Sequence, residues 1–415
     1  MSTPETNVGM NDDQGTVAAS RTRWKWVAAG VAAVVVVGGA LGTSAVRSSN
    51  EGVAGSLQAT TIEGGRGEVK TLTLEGWRIP ANGPLVLDSA EGSAVDAAGN
   101  LYIAAGTRVQ KITAATLGNT TLATATNTTL AGTPSSGYVD GTGTAARFKG
   151  AQGVAVGKDG TVYVADAFDN RIRKITAAGD VTTLAGSGVA GFADGSGAAA
   201  KFNGPTKIAV DGIGTVYVLD SYRIRKITPA GAVTTLAGNG SRGFADGALA
   251  NGVSAARLDT RGIAIDRNCT SACVLYLADY YAIRSLDTTT GQVTTLAGNT
   301  YGGSGTANGV GAAAFFNQLS AITVFKDPGS VGSGIVWVAD GRNGNPVIRQ
   351  FDIASRTVTS VAGNTASTGF VDGIGSAAKF NVLPGISVTM DGKTLYAIDS
   401  SQPSPYFRPV IRKVT

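Results

Sequence analysis

Histidine is absent from the 415 residues, and cysteine occurs only twice. Without imidazole there is no Ser/His or Cys/His nucleophile pair, no imidazole metal ligand and no histidine general base. Charged residues are sparse at 15% and aromatics at 7%, which excludes charge-driven disorder and a coiled coil. The net charge of +5 is not gathered into a basic cluster or an aromatic-basic stripe, so nucleic acid is not an expected partner. What the chain has instead is glycine, 59 residues of it, beside many Val and Thr. That is the composition of short strands joined by tight turns.

The N-terminal part differs from the rest. Residues 1–23 form a polar tail, followed by an uncharged run from Val27 to Val46, about the length a helix needs to cross roughly 30 Å of hydrocarbon. Trp24 and Trp26 stand at its boundary, where amphipathic rings prefer the headgroup layer. Arg21, Arg23 and Lys25 precede the run and only Arg47 follows closely. This bias predicts a single-pass transmembrane signal-anchor helix over 24–46, with the N-terminus cytoplasmic and the remainder extracytoplasmic at the cell membrane. Residues 47–66 read as a flexible linker. The competing reading is a secretory signal cut near Thr43-Ser44-Ala45, which gives a secreted protein. Both readings place most of the chain outside the cytoplasm.

From residue 67 onward the chain repeats itself. Val-Thr-Thr-Leu-Ala-Gly stands at 181–186, 233–238 and 293–298, with variants at 128–132 and 358–363. Before it comes Ile-Arg-Lys-Ile-Thr (172–176, 224–228) or a relative, and before that Val-Tyr-Val-Ala-Asp at 162–166 and its copies. Each unit of roughly 50–60 residues opens with an apolar run such as Gly153-Val154-Ala155-Val156. Four β-rich runs per unit, with turn signals between them and no helical period, predict the four-stranded antiparallel blade of a propeller. Units begin near Gly92, Gly150, Asn203, Asp259, Asn317 and Asn381, and the last stops after its third strand. Its fourth is expected from the other end, where Gly67-Glu68-Val69-Lys70-Thr71-Leu72 matches the fourth-strand pattern. The expected fold is therefore an all-β, six-bladed β-propeller over 67–415, its last blade closed by a strand at 67–76.

Connectors such as Gly191-Phe192-Ala193-Asp194-Gly195 through Lys201-Phe202-Asn203 run between units. Asp-Gly supplies the turn. The closing Phe148, Phe202, Phe316 and Phe380, with Leu258 once, are expected to plug the gaps between blades. Each connector carries one carboxylate where a calcium loop needs several oxygen ligands, so no metal site is expected. Gly-x-Gly-x-x-Gly at 186–191 and 238–243 leads into a connector rather than a helix, so it is a repeat feature and not a dinucleotide finger.

The Tyr163-Val164-Ala165-Asp166 and Asn170-Arg171-Ile172-Arg173-Lys174-Ile175 core, with its copies and connectors, resembles the NHL-repeat family of six-bladed propellers, including teneurin-type NHL domains. That resemblance implies a binding platform or sensor more often than an enzyme. The family's amidating-lyase branch uses a His-held metal, which this chain cannot supply. Lactonase-type propellers bind a cation in the central channel, and a calcium-dependent lactonase-like hydrolase remains the alternative activity.

Five units end the second strand in Asp (Asp166, Asp220, Asp279, Asp340, Asp399) and carry Arg in the third (Arg173, Arg225, Arg284, Arg349, Arg412). The first unit has Ala105 and Gln110 in those places, so both groups are missing together. An ion pair within each blade is the expected arrangement. Cys269 and Cys273, a close pair in an exported chain, are expected to form a disulfide. No catalytic residue and no cofactor are recognised. The irregular loops Lys326 to Gly334, Gly341 to Pro346 and Ser400 to Pro409 are candidate interfaces, with Tyr406 and Phe407 foremost. The expected partner is a protein or glycan on one propeller face.

Overall fold

Val162–Asp166 is buried at every position, as a continuous apolar run demands of a strand covered on both faces. Before it, the Asp159 carboxylate accepts the Thr161 N–H (3.0 Å) and hydroxyl (2.8 Å), and Gly160 takes a positive φ of 82°. These two features make the tight turn back from Ala151–Val156. After it, Asn170 at φ 52° turns the chain into Arg171–Ile175, and Asp180–Ala185 completes an antiparallel sheet.

The computed structural model describes residues 68–72, 90–114, 127–250, 253–254, 256–299, 303–326, 332–342, 344–400 and 410–415. The expected span at 24–46 lies outside them, as do the tail and the linker. Among the described residues no helix is long and apolar enough to cross a membrane.

The sheet just described is blade 2. The same order recurs over 90–132 (blade 1), 205–237 (blade 3), 260–298 (blade 4), 319–362 (blade 5) and 385–414 (blade 6). Blade 6 takes its fourth strand from Glu68–Leu72, which runs antiparallel to Val410–Val414, with Val69 opposite Val414 and Leu72 opposite Ile411. The first strands of consecutive blades lie side by side around the whole circle, blade 6 returning against blade 1. The fold is a six-bladed β-propeller closed by one composite blade.

The core sits between blades. Phe148 is fully buried among Tyr102, Ala104 and Val109 of blade 1 and Val154, Val164 and Ile175 of blade 2. Phe202, Leu258, Phe316 and Phe380 hold the equivalent places at later junctions. The connectors do more than turn the chain. In blades 2, 3, 5 and 6 a two-residue segment of the connector, such as Gly141–Thr142, pairs along the outer edge as a fifth strand. The four-strand expectation therefore falls one short there. The physical gain is a covered sheet edge, which would otherwise offer unpaired groups to other chains.

Candidate functional site

The repeated Asp and Arg meet in every blade that has them. In blade 3, Asp220 is 2% exposed and Arg225 is fully buried, and Nη1 of Arg225 donates to Asp220 Oδ2 at 2.9 Å. The same bond is 2.9 Å in Asp340–Arg349 and in Asp399–Arg412. Asp279 and Arg284 are paired likewise, and Asp166 and Arg173 approach to 3.6 Å. The other carboxylate oxygen of each Asp accepts a backbone N–H just beyond the plugging residue, from Gly150 (2.7 Å), Asn203 (2.6 Å), Asp259 (2.5 Å), Asn317 (2.6 Å) and Asn381 (2.9 Å).

Each arginine also reaches further. Arg225 Nη1 donates to the Lys201 carbonyl (3.0 Å), and Nη2 donates to the Ala193 carbonyl (2.8 Å) and to Asp194 Oδ1 (2.7 Å). Asp194 then accepts the Thr235 N–H at 3.1 Å. One guanidinium thus gathers the connector that precedes its blade, the second strand and the fourth strand. Asp140, Asp246 and Asp372 repeat the second carboxylate, and Asn308 replaces it in blade 5. Sequence reasoning paired only the strand residues and read these connector acids as turn formers. Their recurrence as Asp-Gly ahead of the arginines they meet, at separations from 31 to 40 residues, was the available signal. In blade 1 Gln110 makes a neutral substitute, its Nε2 donating to Thr129 Oγ1 at 3.2 Å.

Burial pushes the carboxyls of Asp166, Asp279, Asp340 and Asp399 up to about 6, against the opposing pull of the arginines and backbone N–H groups. A folded-state value above the unfolded one near 3.8 means that the folded protein binds the proton more tightly. The stability these groups add is therefore complete below about pH 4 and is lost as pH rises through about 6. Asp279→Asn, a neutral isostere, is expected to reduce the slope of unfolding free energy against pH between 4 and 6. Urea unfolding across that window checks this, and an unchanged slope refutes it.

The central channel is lined by the first strands. Opposite the residue just before the last position of each second strand, the lining residue is Gly92, Gly153, Lys207, Gly262, Ala321 or Gly385. Small residues are required because backbones crowd here. A Cβ on Gly153 would lie 2.5 Å from the Thr206 carbonyl oxygen, and one on Gly92 would lie 2.6 Å from that of Gln152. Only blade 3 departs. The Lys207 side chain crosses from blade 3 to the far side, where Nζ donates to the carbonyls of Glu91 in blade 1 (3.1 Å) and Pro384 just ahead of blade 6 (3.4 Å). Burial lowers the Lys207 pKa; the Glu91 carboxylate opposes that shift and the Arg342 guanidinium adds to it.

At the other end Arg267, beyond the first strand of blade 4, donates to the Val95 carbonyl of blade 1 and, at 2.9 Å, to Met390 Sδ. Both mouths are therefore crossed by a cation anchored on the blades where the ring closes. Between them Val154, Ile208, Ile263, Ile322 and Ile386 make apolar walls around spaces of about 50 and 90 Å³. Among the described residues Glu91 is the only carboxylate that lines the channel, and no three His, Cys, Asp or Glu side chains cluster as metal ligands. The oxygen-donor set that a channel cation needs is not assembled, so the residues do not fit that group.

Cys269 and Cys273 form a disulfide with Cα atoms 5.7 Å apart. It closes the loop after Arg267, and the Cys269 carbonyl accepts the Gly212 N–H at 2.8 Å from blade 3. Gly341 and Arg342 open the loop between the second and third strands of blade 5, at the Lys207 end of the channel. Tyr406 and Phe407 lie outside the described residues.

No family model matches the sequence. Over 83 residues the chain is 34% identical to Protein SUPPRESSOR OF QUENCHING 1, chloroplastic, of Arabidopsis thaliana. That stretch is 20% of this chain and only 8% of the plant protein's length. Among solved structures, an auxiliary nutrient-binding protein of Bacteroides ovatus is similar with TM-score 0.55 and 15% identity, covering 87% of this chain and 76% of its own. One of Bacteroides thetaiotaomicron gives TM-score 0.52 and 13% identity, covering 79% and 69%. A putative phosphatase of that organism gives 0.53 and 13%, covering 79% and 71%. At these identities the likeness is one of fold, and it agrees with the six-bladed propeller.

Proposed function

We propose that the protein is an NHL-type propeller, exported and held at the membrane by residues 24–46, that binds a ligand on a propeller face and performs no chemistry on it. The observation that carries this reading is how the acidic groups are used. The five strand-end aspartates are committed to buried guanidinium clasps, and the channel that would hold a catalytic cation is walled by aliphatic residues with Ser93, Thr323 and Ser387 among them, has Glu91 as its one carboxylate among the described residues, and is crossed at both mouths. A face of strand-joining loops on a rigid ring is well suited to recognition. Two similar folds belong to nutrient-binding proteins, which supports a ligand held on such a face.

The test uses the 67–415 protein in a pull-down against envelope components and in a lactone-hydrolysis assay with added calcium. Capture of a defined component without turnover is the expected result. Calcium-dependent hydrolysis abolished by Glu91→Gln would establish the lactonase-like alternative instead. Intact-mass measurement of the mature protein decides between a retained anchor, as proposed, and a cut signal.

A further inference from the structure

Blade 4 departs from the repeat at four places that meet in space. The connector ahead of it has Arg242 where the preceding connector has Ala190, and Asp259 where Asn203, Asn317 and Asn381 precede blades 3, 5 and 6. Its first strand has Arg261 in the place of Thr206, and the turn after its second strand has Tyr280 in the place of Ser221. Blade 3 forms the same sheet without these residues, so the fold does not require them. Tyr280 is held at φ 49°, a left-handed conformation that disfavours a bulky side chain. The Asp259 carboxylate is 1% exposed and lies beneath two guanidiniums: Arg242 Nε donates to its Oδ2 at 2.7 Å, and Arg261 Nη2 stands 3.3 Å from its Oδ1. Both guanidiniums also lie over Tyr280, at 5.3 and 5.8 Å from the ring centroid, within cation–π reach. Tyr281 meets that ring edge-on at 4.5 Å, and the Phe244 ring is 6.3 Å away.

Unlike the clasp arginines, these two reach solvent, their side chains being 54% and 36% exposed. Among the described residues both Nη groups of Arg242 and Nη1 of Arg261 donate to no protein acceptor. One buried carboxylate cannot neutralise two guanidiniums, so the cluster presents a surplus positive charge and unused N–H donors. We infer that it is a docking site for an acidic segment of a partner protein, one carboxylate of which is received across Arg242 and Arg261. A planar guanidinium matches the paired oxygens of a carboxylate. Asp259 and Tyr280 already order both arginines, so little side-chain freedom remains to be lost on binding. Arg and Tyr are also the residues that dominate protein–protein contacts, and half-buried rings beside them, here Phe244 and Tyr281, keep water from the ion contacts. The Tyr280 ring is engaged by two cations and by Tyr281, so it orients the arginines rather than stacking on a sugar. Gly262, which follows Arg261, lines the channel beside Lys207, and this places the cluster on the face at that end.

This inference rests on the binding reading above and names its face and the chemistry of the partner. The test follows the fluorescence anisotropy of a dye-labelled tetraglutamate peptide titrated with the full-length protein at low ionic strength, with tetraglutamine carrying the same dye as control. Saturable binding of the glutamate peptide alone is expected, weakened by added salt. Arg242→Ala and Arg261→Thr each install the blade 3 residue and leave Asp259 one cation, so the protein folds and affinity falls about tenfold or more, the effect of losing a charge-assisted hydrogen bond. The combined variant Arg242→Ala, Asp259→Asn, Arg261→Thr, Tyr280→Ser abolishes binding. Its unfolding midpoint stays at or above that of the parent, because no buried charge is left unpaired. A lowered midpoint with unchanged affinity marks a purely structural network and overturns the inference. So does the absence of saturable tetraglutamate binding, equal binding of tetraglutamine, or preference for a uronate oligosaccharide. If the combined variant still captures the envelope component that the parent captures, the inference falls and the binding reading stands. Capture of nothing by a parent that binds the peptide does the reverse.

Discussion

Arg225→Met is expected to lower the unfolding free energy by about 3–5 kcal/mol, the range for leaving a buried charge without its partner. The side chain is fully buried, so the Asp220 carboxylate at 2.9 Å has no water to replace the guanidinium. The loss extends beyond the pair, because the same group holds the Lys201 and Ala193 carbonyls and so fixes the connector against blade 3. Removing both charges is expected to hurt less than removing one. Asp220→Leu combined with Arg225→Met should recover part of the loss, since apolar residues of similar volume spare the desolvation of two ions. Blade 1 supplies the control: Gln110→Ala breaks a neutral contact to Thr129 and should cost about 1 kcal/mol. Urea unfolding of the 67–415 protein and its variants measures all of these. A loss below that of Gln110→Ala would show that the clasp does not contribute to stability.

The second large effect concerns the seam. A protein beginning at residue 73 lacks Glu68–Leu72 and leaves Val410–Val414 without its outer neighbour. It also loses the pairing of Glu68 and Val69 with Ile374 and Gly373 in the connector. The exposed edge presents a row of unpaired backbone groups, a template for joining another copy. Size-exclusion chromatography is expected to show the truncated protein shifted to larger species relative to 67–415, with thermal unfolding at lower temperature. A peptide of residues 67–76 added in excess should reverse the shift. If the truncated form elutes and melts like the longer one, closure by this strand is not what completes the ring.

The contrast between what the residues foretold and what they concealed follows from distance along the chain. Strand, turn and repeat are local properties, so Val162–Asp166, Asp159-Gly160 and the recurring Val-Thr-Thr-Leu-Ala-Gly announced the blade. The ring count needed only the recognition that Val69 resembles a fourth strand. The Asp–Arg pairing was visible because both members are missing from the same unit. The role of Asp194 was hidden, since it meets Arg225 across 31 residues and its Asp-Gly turn already seemed to account for it. Lys207 was less visible still: its acceptors lie 116 and 177 residues away, and only a closed ring brings them within reach. A departure from Gly at one point of a circle has no meaning until the circle exists.

Because Glu68–Leu72 finishes the sheet that Val410–Val414 begins, the array has no terminal unit. An open stack of repeats frays from its ends and needs specialised caps there. Here every blade has two neighbours sharing its core, and loosening any one must first break a junction on both sides. Six semi-independent modules are thereby converted into one thermodynamic unit, whose first fracture should fall at the composite blade, where the chain itself supplies no covalent link between the third and fourth strands.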